Sequence, residues 1–135
     1  MQKLKILVEE HQADTLPATL EQISEAQVQL GMTFSAEYRE YLQQFGVISY
    51  GSTEVFGLGV KQSSHLNVVN VAQRFTQVCA FPKHLLPLAE IGDSHYYVYD
   101  NIRHNVLSVA IPDLGPKMVS NDLEEFLIDL IFCQI

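Results

Sequence analysis

The chain is 135 residues long and 47% apolar, enough for one domain with a sizeable core and too little for two. Sixteen acidic against eight basic side chains give a net charge of −8, a field that repels phosphate backbones and disfavours direct nucleic-acid binding. Two cysteines make no disulfide framework, and no apolar run approaches the about 18 residues of a membrane span.

The opening MQKLKILVEE has three consecutive apolar residues before two acids, too few for a signal peptide, so the chain reads as cytoplasmic. A first helix is predicted from Leu4 to His11, with Leu4, Leu7, Val8 and His11 on one face, then a loop through Asp14 and Pro17. Ser24 with Gln27 reads as a capping box, Ile23 and Val28 as the accompanying hydrophobic staple, and Gly31 as the left-handed stop. Ser35 caps the next helix, in which Tyr38, Tyr41, Leu42 and Phe45 form an apolar stripe that Gly46 closes. The period then changes: Ile48 to Tyr50 and Glu54 to Leu58 alternate as strands around a Gly51 turn.

Val68 to Val78 is β-branched, yet Val68, Val71, Ala72, Phe75 and Val78 keep a helical stripe between an Asn67 cap and a Phe81-Pro82 stop, which favours a helix. Strands follow near Leu86–Ile91, Tyr96–Tyr99 and Val106–Ile111, an antiparallel meander. A loop through Pro112 and Pro116 leads to a closing helix, with Asn121 and Glu124 as its cap and Leu123, Phe126, Leu127, Leu130 and Ile131 inward. The expected fold is therefore α+β, one domain over residues 1–135, helices packed around a mainly antiparallel sheet.

Three consecutive blocks carry a resemblance: I-x-x-A-x-x-x-L-G from Ile23, S-x-E-Y-x-x-Y-L-x-x-F-G from Ser35, and Y-G-S-T-E-V-F-G-L-G from Tyr50. With the Leu86 to Asp100 hairpin and the Leu123-Glu-Glu-Phe-Leu127 segment, they resemble the Smi1/Knr4 family of the SUKH superfamily over Ile23 to Ile131. The chain departs from that family's pattern at Ala26, where Glu is frequent, and at Phe34-Ser35, where Leu-Pro is usual. The resemblance implies a SUKH-like fold and an immunity protein, a cytoplasmic antidote that blocks a cognate toxin, commonly one directed at nucleic acid. As the alternative it implies a regulatory or scaffold module that binds a host protein.

Residue chemistry is compatible with either. From His84 onward the chain carries eight carboxylates and two bases, −6 of its −8, which would steer a basic partner. Tyrosines beside carboxylates make interface anchors, and Glu54, Glu90, Asp93, Tyr97, Tyr99 and Asp100 are the candidate contacts, with Tyr97 and Tyr99 on one strand face and Tyr96 on the other. No cofactor is expected. The five histidines lack metal-ligand spacing, Gly57-Leu-Gly59 is a fragment of a phosphate loop that reads as a strand end, and Cys79 and Cys133 read as core thiols. An enzyme built on Asp93 and His95 has no further catalytic member to name, so catalysis is not expected.

Overall fold

The computed structural model describes residues 1–133. Its first helix, α1 (Gln2–His11), buries Leu4 and Val8, and Gln12 in the left-handed region ends it. A two-residue strand, β1 (Asp14–Thr15), occupies part of the expected loop. The capping box of α2 (Leu20–Leu30) lies five residues earlier than its sequence suggests: Thr19 accepts from the Gln22 amide, and Gln22 closes the box. Ser24 thus falls inside the helix, Val28 is 82% exposed and staples nothing, and Gln27 reaches forward to accept from the Phe34 amide at 2.9 Å. Gly31 stops the helix at φ 66°, as expected.

Ser35 caps α3 (Ala36–Gln44) by accepting from the Tyr38 amide, and the expected stripe of Tyr38, Tyr41, Leu42 and Phe45 is buried. Two short strands, β2 (Ile48–Tyr50) and β3 (Thr53–Val55), complete an antiparallel sheet in the order β1-β2-β3. The second of them is shorter than predicted because Phe56 and Gly57 turn their amides away, to Leu88 and Leu66. Asn67 accepts from the Val69 and Asn70 amides and starts α4 (Val68–Val78), so the helical stripe prevails over β-branching.

The larger sheet is a meander of β4 (Leu85–Gly92), β5 (His95–Asp100), β6 (Asn105–Ala110) and β7 (Leu114–Ser120). β7 stands where the sequence reads as a loop through Pro112 and Pro116; it follows a cis Ile111–Pro112 bond and pairs with β6 through two register shifts. The last helix, α5 (Leu123–Phe132), is capped by Asp122, which accepts from Glu125, rather than by Asn121. Glu124, the expected partner of that cap, instead accepts from the Leu4 amide at 3.1 Å and ties the closing helix to α1.

The meander lies between two apolar layers. On one face Val71 and Phe75 of α4 pack with Phe81, Leu85, Val98 and Val109. On the other, Leu4, Tyr38, Leu42, Leu123 and Leu127 meet Leu86, Tyr99 and Val106. Each such leucine, fully buried, contributes about 1.5–3 kcal/mol relative to leaving it in water. The expectation of two core thiols is corrected: Cys79 is half-buried, and Cys133 is exposed because it follows the last residue of α5 as its C-cap, past the buried Ile131.

Three backbone segments cross under α3 without side chains between them. The Leu16 amide donates to the Phe45 carbonyl, and Leu58 donates to that of Gly46. A Cβ on Gly46 or Gly59 would overlap the Leu16 carbonyl, and one on Gly57 would overlap that of Gly46 and stand 3.3 Å from the Tyr41 ring. Gly57-Leu-Gly59 is thus a packing device, consistent with its reading as a strand end.

Candidate interaction surface

The candidate contacts divide between surface and core. Glu54 is exposed on β3, its carboxylate 3.5 Å from His65 Nε2. Glu90 is exposed near the tip of β4, opposite Tyr96 and on the α4 side of the sheet. The Tyr96 phenol is held above its ordinary pKa by burial first and by Glu90 second, with Arg74 opposing. Asp93 is exposed in the hairpin turn with φ 51°, and His95 Nδ1 lies 2.9 Å from its backbone oxygen, so this pair is a turn contact and not a carboxylate–imidazole dyad.

Tyr97 and Tyr99 share a face, and Tyr96 takes the other against Phe75, as strand alternation requires. Their environments differ. Tyr99 is fully buried, stacked on Tyr38 at 5.5 Å, its hydroxyl 2.7 Å from Ser35 Oγ. Asp100 is 4% exposed and accepts from the Ile102 and Arg103 amides, building the turn into β6. Neither reaches the surface as a partner contact would. Tyr97 is half-buried, its ring edge-on to Phe126 at 4.9 Å. The six residues therefore form no single patch: Glu90 and Tyr97 lie on opposite sides of the sheet.

Around Tyr99 the polar groups are structural. Asn101 accepts from the Ser35 amide at 2.8 Å and donates to the Thr33 carbonyl at 2.9 Å, fixing the start of α3 against the β5–β6 turn. Glu37, in the first turn of that helix, has a carboxyl oxygen that is buried and without a hydrogen-bond partner. Burial is the main cause that lifts its pKa above 4.5; the Tyr99 hydroxyl counteracts it, and the Asp122 carboxylate adds to it. The folded chain then holds this proton more tightly than the unfolded one, so stability falls as pH climbs from 4.5 through the raised value. Glu37→Gln is expected to raise the melting temperature at pH 7 and to change nothing below about pH 4, where both forms are neutral. A loss at pH 7 would contradict this.

A crevice of about 330 Å³ opens between α5 and the outer half of the meander, lined by Tyr97, Val119, Ser120, Phe126, Asp129 and Leu130. Of these, Tyr97 is the one the sequence marks as a candidate contact; Val119 and Ser120 lie on β7, which the sequence does not mark as a strand. Among the described residues no three His, Cys, Asp or Glu side chains converge to hold a metal, and no helix is long and apolar enough to cross a membrane.

Among the described residues, five helices about a three-stranded and a four-stranded antiparallel sheet make an α+β domain of the SUKH class. The chain belongs to the SMI1-KNR4 cell-wall family of that class, whose sequence model matches residues 2–132. Among solved structures it is similar to a protein from Pseudomonas syringae pv. tomato, with a TM-score of 0.80 at 18% identity over 99% of this chain and 100% of that one. That likeness shows the fold. No curated protein matches the sequence.

Proposed function

We propose that this domain is an immunity protein that binds and occludes a cognate toxin with a basic surface, one that acts on nucleic acid. The observation that carries the reading is the state of its carboxylates. Among the described residues none of the lysines or arginines lies within ion-pairing distance of a carboxylate; the three close pairs use the Met1 amine with Glu40 and two histidines, with Glu54 and Asp100. Glu90, Asp93, Asp113, Glu125 and Asp129 are exposed and unneutralised by the chain itself, so their field is available to steer and orient a cationic partner. Occlusion by such a surface requires no chemistry from the antidote.

Co-expression with the protein encoded immediately upstream is expected to restore growth and yield a stable pair. Raising salt from about 0.1 M to about 1 M shortens the Debye length from about 10 Å to about 3 Å, and the association rate is expected to drop by about tenfold. An association rate indifferent to salt would remove the electrostatic basis of the proposal. The family's description as cell-wall proteins favours a second reading, a regulatory module that binds a host protein. Complex formation with a non-toxic neighbour, and no rescue, would select it.

A further inference from the structure

We infer that the crevice between α5 and β7 receives an arginine side chain from the protein partner. This rests on the reading of the domain as a binding module for a basic protein and names where the contact is made. Three features converge there.

The first is an aromatic wall with open flanks. Across the sheet Ala89, Tyr97, Ser108 and Lys117 are successive Cα partners, so they lie in one row on the α5 side. The neighbours of Tyr97 in that row are an alanine and a serine, too small to cover its ring. Phe126 meets the ring edge-on at an interplanar angle of 70° and leaves it half-buried. A guanidinium can lie flat on such a face, gaining from the ring quadrupole and from apolar contact along its stem.

The second is an uncompensated negative end. Asp129 lies in the last turn of α5, where the helix carbonyls already carry partial negative charge and where no basic side chain occurs. Glu125, one turn earlier, is on the same side of the helix and is also exposed. Lys117, the base on the row, is two strands from Tyr97 and makes no ion pair. A carboxylate in that position is electrostatically unfavourable to its own helix, and a cation brought by a partner reverses the sign of the interaction.

The third is the edge itself. β7 is the last strand of the meander, and among the described residues nothing pairs with its outer side. Val119 and Ser120 belong both to this edge and to the crevice. An extended segment laid against β7 would therefore carry a side chain to Asp129 while its backbone completes hydrogen bonds. Arginine fits better than lysine because its planar fork can stack on Tyr97 and pair with a carboxylate at once.

The test uses the full chain and two probes, N-acetyl-arginine amide and its neutral counterpart N-acetyl-citrulline amide, titrated against the labelled protein by amide chemical shift. Saturating shifts centred on Tyr97, Ser120, Phe126 and Asp129 are expected with arginine, absent with citrulline and absent in Asp129→Asn, an exposed substitution that leaves the core intact. Shifts spread evenly over all exposed carboxylates, or unchanged by Asp129→Asn, would overturn the inference. The upstream-encoded protein then separates the two claims. If it binds the wild-type chain and Asp129→Asn weakens it by about tenfold or more, the crevice is the contact. If it binds both equally, the crevice is not; if it binds neither, the partner proposed above is wrong, and the arginine titration alone decides the crevice.

Discussion

Gly57→Ala is expected to cost about 4 kcal/mol or more and to leave little folded protein at 37 °C, measured by urea unfolding of the purified chain. The new methyl group would overlap the Gly46 carbonyl oxygen and sit 2.9 Å from its carbon. Both neighbours are backbone, so no rotamer change can relieve it. The Gly57 amide donates to Leu66 and its carbonyl accepts from Val68, so a shift of this residue would pull on the entry to α4 as well. Gly51 provides the control. Its φ is 59° but a Cβ there meets nothing within 4 Å, and Gly51→Ala is expected to cost only about 1 kcal/mol of left-handed strain. Gly57 itself has no positive φ, so equal losses at the two positions would mean that the backbone around it yields and that the close approach to Gly46 does not decide the effect.

Tyr99→Ala is expected to destabilise the fold by about 3–5 kcal/mol, the range for removing a large buried ring. The ring is fully enclosed, and its stacking on Tyr38 adds about 1 kcal/mol to the area it buries. Tyr99→Phe removes the hydroxyl from Ser35 Oγ and from Glu37, and about 1–2 kcal/mol is expected from that alone. The pair of variants separates two roles. If Tyr99 acts through the core, the phenylalanine variant binds any partner as the wild-type chain does; a folded Tyr99→Phe that has lost binding would restore Tyr99 to the interface. Burial also raises the Tyr38, Tyr41 and Tyr99 phenols far above their ordinary pKa, so the core is expected to keep them protonated until it unfolds in alkali.

Local signals in the chain were sufficient wherever one element decided its own boundary. Ser35 and Asn67 each cap a helix from the preceding residue, Gly31 ends one, and the Tyr38 to Phe45 stripe has one possible inward face. Signals failed where two local solutions compete. Thr19 with Gln22 and Ser24 with Gln27 have the same spacing, and the earlier box prevails because α2 must extend back to bury Ile23 and Ala26 in one stripe. Edge position hid β7: Leu114 to Ser120 contains a glycine, a proline and a lysine and is exposed along most of its length, so no alternation marks it.

The candidate contacts show the same limit. Alternation correctly puts Tyr97 and Tyr99 on one face, but not which part of that face the helices cover. Tyr99 lies under α3 and is sealed, while Tyr97 lies beside α5 and remains half-open. Asp100 reads as a charge in sequence and acts as a turn former in three dimensions, its oxygen occupied by two backbone amides. Asp129, in contrast, looks like one more polar position on an amphipathic helix until β7 is placed beside it.

The division of labour between the two sides of α5 and β7 has an evolutionary consequence. Leu123, Phe126, Leu127 and Ile131 hold α5 to the core, whereas Glu125 and Asp129 bear on little of it, and Lys117 and Met118 project from a strand exposed along its length. Substitutions at these outward positions fall in the class that moves stability by about 0.5 kcal/mol or less. Lineages of this domain can therefore exchange one outward surface for another by single steps, each of them close to neutral for folding, without rebuilding the scaffold.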